Sequence, residues 1–332
     1  MSTISKVAHR AGVSRTTVSH VLNHADRVSE PLRLRVQTAI DELGYTPNAQ
    51  ARSLRTGRTN HVAILVPDIS PSFYTEQVRA AQMLLQEFGL TLAVFNTDVP
   101  GGRYKDKAEA FVRQINASNF DGVIVTEFAM HESREHLQLL KCPVVFIGDT
   151  EDEVTPLVAV DNFETCRLVG SYLTRIGHRR IADVTGPRFF RSAMRKSLGF
   201  HQGCYDGGLS EGDIVSFEGS YMEPSGIEAA QWLMSIPKSE RPTAVFFSSY
   251  DMAKSALAEF YDMGMKVPGD IAVAVFGVPG MDHVRPKVTR VVIDFAKAAT
   301  IAADMLQRAI NGSDVKESRV IMSPELVVGA TT

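Results

Sequence analysis

The stretch SRTTVSHVLN at residues 14–23 places an arginine, two threonines and a histidine among three aliphatics. At roughly 100° per residue, Val18, Val21 and Leu22 fall on one side of a helix, and Arg15, Thr16, Ser19 and His20 on the other. An arginine fork matches guanine, a threonine offers a hydroxyl and a methyl for thymine, and a histidine donates or accepts. This face suits a DNA major groove. A polar helix face is ordinarily just a solvated surface, so the reading leans on what surrounds it. Residues 1–60 carry nine Lys and Arg against four Asp and Glu, a net +5, whereas the whole chain of 332 residues is at −3. A small basic module on a larger acidic body meets a polyanion with its first segment only.

A second stretch, YTPNAQARSLRTGRTN at residues 45–60, holds one large aliphatic residue, Leu54, among small, polar and basic neighbours. Residues 48–55 form at most two helical turns, with Asn48 as cap and Thr56 and Gly57 as the stop. That is below the ~12–15 residues needed for even marginal helix stability in water. This helix needs an outside partner, and Leu54 has no apolar stripe of its own to join.

Three short helices must position the polar face. Ile4, Val7, Ala8 and Ala11 recur at helical spacing; Gly12 ends that helix and Ser14 caps the next. Ser29 as N-cap and Pro31 begin a third helix, with Leu32, Val36, Ile40 and Leu43 inward and Gly44 as the stop. From His61 onward ten short β-rich runs alternate with helical stretches: HVAILVPD, TLAVFNTD, DGVIVTEF, PVVFIGD, PLVAVD, RRIADVTG, DIVSFEG, TAVFFSS, IAVAVFG and TRVVID. Alternation of this kind predicts an α/β fold of two doubly wound parallel-sheet lobes, with a switch near Val160 and strand ends facing one shared cleft.

The segments TISKVAHRAGVSRTTVSHVLN and LGYTPNAQARSLRTGRTN resemble the DNA-binding head and hinge of the LacI/GalR family of bacterial transcriptional repressors. The resemblance implies a sequence-specific DNA-binding regulator, a repressor, whose operator affinity is modulated by a small metabolite. Arg15, Thr16 and His20 would then hold the base-reading positions, with Thr3, Ser14, Thr17, Ser19, Asn23 and Tyr45 supporting the backbone contacts or the fold. Asn48, Ala51, Arg52, Leu54 and Arg55 would enter the minor groove as a hinge helix. Paired leucines at the position of Leu54 would pry open the central base step. The implied organisation is a helix-turn-helix head at 1–46, a hinge at 47–60 and an effector-binding and dimerisation domain at 61–332. That domain would divide into an N-lobe (61–160 plus 293–321) and a C-lobe (161–292 plus 322–332).

The likeness extends over the remainder, where VAVDNFETCRLVGSYLTRIGHRRIADVTGP and the terminal SPELVVG resemble the family's periplasmic-binding-protein-like effector domain. By that resemblance the effector, a sugar or related metabolite, would meet Asp68, Phe73, Tyr74, Asp161, Arg191, Lys196, Tyr221, Ser249, Tyr250 and Gly277. Several positions depart from the family pattern. Lys196 stands where an arginine is usual, so a bidentate fork becomes a point charge. The chain reads VFGVP where a carboxylate for ligand hydroxyls is usual, and Ser249 and Tyr250 replace an Asn-Asp pair. These departures favour a larger, less polar or anionic metabolite over a plain monosaccharide, with Lys196, Arg191 and Arg195 as anion contacts. They also keep open a second reading, a DNA-binding regulator whose cleft is vestigial or answers to a protein.

The common phosphate-binding and zinc signatures of enzymes are missing: there is no GxGxxG after the first strand, no GxxxxGK[ST] and no HExxH. Asp149 and Asp152 read as solvated loop carboxylates. The three cysteines, Cys142, Cys166 and Cys204, lack disulfide or metal spacing and read as buried free thiols. No cofactor and no metal are expected. Apolar runs are far short of the ~20 residues that cross a bilayer and no signal-peptide core opens the chain. The expectation is a cytoplasmic protein, and, with no leucine-heptad tail, a homodimer on a pseudo-palindromic operator.

Overall fold

The computed structural model describes residues 3–23, 27–46, 53, 57–97, 104–126, 137, 139–150, 156–188, 190–277 and 286–332. The chain divides into two compact units, Met1–Thr59 and Asn60–Thr332.

In the first unit, helix α1 (Ile4–Ala11) starts at Thr3, whose side chain accepts from the Lys6 N–H, and stops at Gly12, φ 64°. That left-handed conformation suits glycine. Helices α2 (Arg15–Asn23) and α3 (Glu30–Leu43) follow. Ser29 stands at the N-cap of α3, but its side chain makes no capping bond. The core is Val7, Ala8, Ala11, Val18, Val21, Val36, Ala39 and Ile40, with Ile4, Leu22, Leu43 and Tyr45 packed against it. Arg35 on α3 ties the unit together by donating to the Ala11 carbonyl at 2.7 Å, at the C-terminal end of α1 where carbonyls lack helical partners.

The second unit alternates strands and helices. In chain order they are β1 (His61–Val66), α4 (Ser72–Glu87), β2 (Thr91–Asn96), α5 (Tyr104–Ala117), β3 (Gly122–Thr126), β4 (Val144–Asp149), β5 (Leu157–Val160), α6 (Asn162–Arg175), β6 (Ile181–Thr185) and α7 (Arg191–Asp206). Then come β7 (Ile214–Glu218), α8 (Glu223–Ser235), β8 (Ala244–Phe247), α9 (Tyr250–Asp262), β9 (Ala272–Gly277), β10 (Thr289–Val292), α10 (Phe295–Ile310), β11 (Arg319–Met322) and β12 (Glu325–Val327). Two six-stranded sheets result, with orders β11-β5-β4-β3-β1-β2 and β12-β10-β9-β8-β6-β7. The ten runs read from the sequence are β1 to β10. The short strands β11 and β12 were not anticipated; β11 pairs with β5 in parallel, whereas β12 runs antiparallel to β10.

The chain passes between sheets three times, through α6, through α10 and between β11 and β12. Central strands are buried along nearly their whole length, as β1 and β9 are, because helices cover both faces. Helices α6 and α7 touch backbone to backbone: a Cβ on Gly199 would lie 2.0 Å from the Phe163 carbonyl oxygen. Only glycine permits that approach, which fixes α7 beside the strand ends. Among the described residues no helix is long and apolar enough to cross a membrane.

Candidate functional site

In the first unit α2 buries Val18 and Val21 and leaves Arg15, Thr16 and His20 exposed, with Ser19 half-buried. Its start is fixed by Ser14: Oγ accepts the Thr17 N–H at 3.0 Å and lies 2.9 Å from Thr17 Oγ1. Thr3 Oγ1 accepts from the Lys6 N–H at 3.4 Å, and Tyr45 is half-buried against the core. These residues hold the helices that present the outward face. Asn23 ends α2. Two exposed basic residues are engaged within the unit itself: Arg10 pairs with Glu42 at 2.7 Å, and Arg35 bonds to the α1 terminus. The hinge residues Asn48, Ala51, Arg52, Leu54 and Arg55 lie outside the described residues. Beside them, the Gly57 N–H donates to the Ser53 carbonyl at 2.8 Å, and Gly57 has φ 67°.

The second unit contains a cavity with about 720 Å³ of empty space, open solvent at its mouth included. It lies at the carboxyl ends of the strands in both sheets, where crossover connections diverge. Thr126 at the end of β3, Ile147 and Gly148 on β4, Val160 on β5, Ser248 after β8, and Phe276 and Gly277 on β9 form its floor. Helices that follow strands β1, β5, β6, β8 and β10 begin at the same place, so α4, α6, α7, α9 and α10 each put a first-turn residue into the wall: Ser72, Asn162, Ser192, Tyr250 and Phe295.

Seven sequence-predicted residues meet here: Phe73, Tyr74, Lys196, Tyr221, Ser249, Tyr250 and Gly277. Tyr221 has φ 69°, a conformation that costs a non-glycine residue about 1–3 kcal/mol and recurs at binding sites. Its carbonyl accepts from Ser249 Oγ at 2.9 Å, and its ring occupies space that Gly186 leaves by having no Cβ. The Lys196 ammonium sits 3.9 Å from the Phe276 ring centroid and 5.2 Å from that of Tyr221, a cation–π arrangement in a nearly closed space.

Asp68, Asp161 and Arg191 do not line the cavity. Asp68 accepts the Ser70 N–H at 2.9 Å in its own loop. Asp161 caps α6 through the Glu164 N–H at 3.0 Å and lies 3.5 Å from Arg195 Nη2. Arg195, one residue from Lys196, also turns away from the cavity: its Nε is 3.2 Å from Asp149 Oδ1. Asp149 is therefore no solvated loop carboxylate. It is fully buried at the end of β4 and accepts from Asn162 Nδ2 at 2.8 Å, so Arg195 on α7 clasps one sheet to a helix beside the other. Asp152 lies outside the described residues.

Several lining residues escaped sequence reasoning, among them Gln77, Asn162, Ser192, Asp251, Phe276 and Phe295. Gln77 and Ser192 are 2% and 1% exposed, and neither Gln77 Oε1 nor Ser192 Oγ has a hydrogen-bond partner among the described residues. Buried polar atoms left in this way normally await a ligand or water. A glutamine on the inward stripe of α4 was the available signal. Asp251 is different: burial raises its carboxyl pKa and Glu223 adds to this, while Lys254 and the Ser72 N–H, across the cavity mouth on α4, pull it down.

The thiols take no part. Cys166 and Cys204 are buried, Cys142 is only half-buried, and burial pushes Cys142 up to about 11 and Cys204 up to about 12.

Comparison with known proteins agrees with this geometry at both ends of the chain. A family model for bacterial regulatory proteins of the lacI family matches residues 3–48, and one for the periplasmic binding protein-like domain matches residues 171–332. The HTH-type transcriptional repressor PurR of Edwardsiella ictaluri (strain 93-146) is 30% identical, over 98% of this chain and 96% of its own. Catabolite control protein A of Priestia megaterium is also 30% identical, over 98% and 97%. A solved structure of the Lac repressor dimer bound to operator and the anti-inducer ONPF has the same fold, with a TM-score of 0.86 at 23% identity over 100% of this chain and 99% of that one. These relatives regulate transcription and are not enzymes. Similarity that runs from the helix-turn-helix head through the last strand makes this chain a member of the LacI family, a transcriptional repressor with a periplasmic-binding-protein-like effector domain.

Proposed function

We propose that this repressor binds a pseudo-palindromic operator as a homodimer and that a small metabolite in the cavity sets its affinity. Each head (1–46) would lay α2 in the major groove, with Arg15, Thr16 and His20 on base edges and Thr3, Ser14, Thr17, Ser19, Asn23 and Tyr45 supporting it. The hinge (47–60) would order on DNA, with Asn48, Ala51, Arg52 and Arg55 along the minor groove and Leu54 wedged into the central step. Two heads on a symmetric site require a two-fold assembly of the effector domain (61–332), whose lobes are 61–160 plus 293–321 and 161–292 plus 322–332. Ligand free energy that favours one lobe arrangement would compete with the free energy of ordering the hinge. A dimer on operator is the state named for the Lac repressor relative.

The observation that carries the effector reading is the cavity at the strand ends, where the Gln77 and Ser192 oxygens are buried with hydrogen-bonding capacity to offer. The test is fluorescence anisotropy of the full chain on its operator, selected from random DNA, with thermal melts in the presence of sugars, nucleobases and organic acids. A ligand of the native state at 100 times its Kd adds about 2.7 kcal/mol of stability. An operator affinity that moves at least tenfold with the same compound supports the reading. If no compound shifts either measurement, the cleft is not an effector site and the vestigial or protein-responsive alternative replaces it.

A further inference from the structure

The cavity's polar groups are distributed unevenly, and the distribution selects a ligand. Its hydroxyls are largely committed as donors: Thr126 Oγ1 donates to the Leu65 carbonyl at 3.1 Å, Ser248 Oγ to that of Val184 at 3.0 Å and Ser249 Oγ to that of Tyr221 at 2.9 Å. A sugar presents many hydroxyl donors and needs carboxylate and amide acceptors. Among the described lining residues the only carboxylate is Asp251, which already accepts the Ser72 N–H at the mouth. Asn162 reaches Asp149 rather than the cavity with its amide nitrogen.

The wall formed by α7 has the opposite character. Ser192 and Lys196 stand four residues apart and so share one helix face. Both line the cavity, both are buried, and Ser192 Oγ has no hydrogen-bond partner among the described residues. The N-cap of α7, Phe190, supplies no side-chain capping bond to the first-turn N–H groups. A helix N-terminus with no side-chain cap and no acidic residue in its first turn, a buried hydroxyl and a buried ammonium thus stand along one face of α7 in the cavity wall, an arrangement that complements an anionic oxygen pair. The ammonium also lies against the rings of Phe276 and Tyr221. A flat apolar body extending from the anion would stay among aromatic surfaces.

Resting on the effector reading above, we infer that the metabolite is an aromatic-ring carboxylate. Its carboxylate meets Lys196 Nζ and Ser192 Oγ at the start of α7, and a ring substituent that donates a proton is received by Gln77 Oε1. Arg195, held by Asp149, does not take this anion, so the charge readout belongs to Lys196 alone of the neighbouring pair.

The probes are benzoate, 4-hydroxybenzoate and nicotinate, with methyl 4-hydroxybenzoate as the neutral counterpart and glucose and cellobiose as polyol controls. Each is titrated against the full-length protein by calorimetry and by operator anisotropy. An acid that binds at least tenfold more tightly than its methyl ester, with that ratio falling below about threefold in Lys196→Met, supports the inference. Lys196→Arg, which keeps the charge, should retain the preference. Equal binding of acid and ester to the wild type, or binding and release by a sugar while the acids do nothing, overturns this inference and leaves effector control standing. Silence from these acids and sugars, and from the nucleobases in the thermal melts described above, overturns both.

Discussion

Replacing Arg195 by leucine should destabilise the effector domain by about 3 kcal/mol, the lower end of what breaking a buried ion pair costs. Asp149 is fully buried and Arg195 is 20% exposed, at a separation of 3.2 Å. At an effective dielectric constant near 20 that distance corresponds to roughly 5 kcal/mol of gross attraction. Part of this is offset by desolvating the guanidinium, which also faces Asp161 at 3.5 Å and the Phe163 ring at 5.4 Å. Removing only the arginine deletes the guanidinium that stands 3.2 Å from a fully buried carboxylate, which keeps its bond from the Asn162 amide. For a domain of this size 1 kcal/mol moves Tm by about 2–4 °C, so a fall of roughly 6–12 °C is expected. The chain's single tryptophan, Trp232, is partly buried against the core of the second sheet, 5.4 Å from the Phe217 ring, and reports the transition by fluorescence. In a cycle with Asp149→Asn, the double variant should lose at least ~2 kcal/mol less than the sum of the two single losses. Strict additivity, or an Arg195→Leu loss below about 1 kcal/mol, would show that the clasp is a surface pair of little consequence.

Other outcomes follow from the same geometry. Leu54→Ala should weaken specific operator binding about tenfold or more and leave the oligomeric state seen by sedimentation unchanged, because the lost wedge acts only on DNA; unchanged operator affinity refutes the wedge. Gly199→Ala places a Cβ against the Phe163 carbonyl and should cost about 1–3 kcal/mol in urea unfolding, since α6 and α7 must separate; a neutral result contradicts the backbone contact. Burial holds the His178 pKa below its ordinary 6.5 while Nδ1 lies 2.9 Å from Thr243 Oγ1. Its unfolded state thus binds the proton first, and its stabilisation, present above the unfolded value of about 6.5, is lost progressively as pH falls from there through the lower folded value. The Tm gap between wild type and His178→Gln should narrow from pH 8 to pH 5.5; a constant gap refutes the assignment.

Local periodicity carried the head and most of the sheets. Val18 and Val21 opposite Arg15, Thr16 and His20 are separated by nothing more than the helical repeat, and β1 to β10 are runs that only a sheet covered on both faces would bury. The motif resemblance placed Phe73, Tyr74 and Tyr221, which periodicity alone could not tell from core. Strands β11 and β12 stayed hidden because each sits at the edge of its sheet, is short and has a mixed burial pattern, so only a brief apolar run, VIM or LVV, marks it.

What the chain order could not decide was the fate of charged neighbours. Arg195 and Lys196 are adjacent and alike in sign, yet about 100° of helical rotation sends one to Asp149 and the other onto the rings of Phe276 and Tyr221. Asp149, read as a loop carboxylate, became a buried partner for the same reason. Helical and strand repeats are set by the backbone within a few residues and so can be read along the chain. Whether a charge meets an opposite charge, a ring or water depends on segments brought together by the crossovers between the two sheets, and only the tertiary structure supplies that.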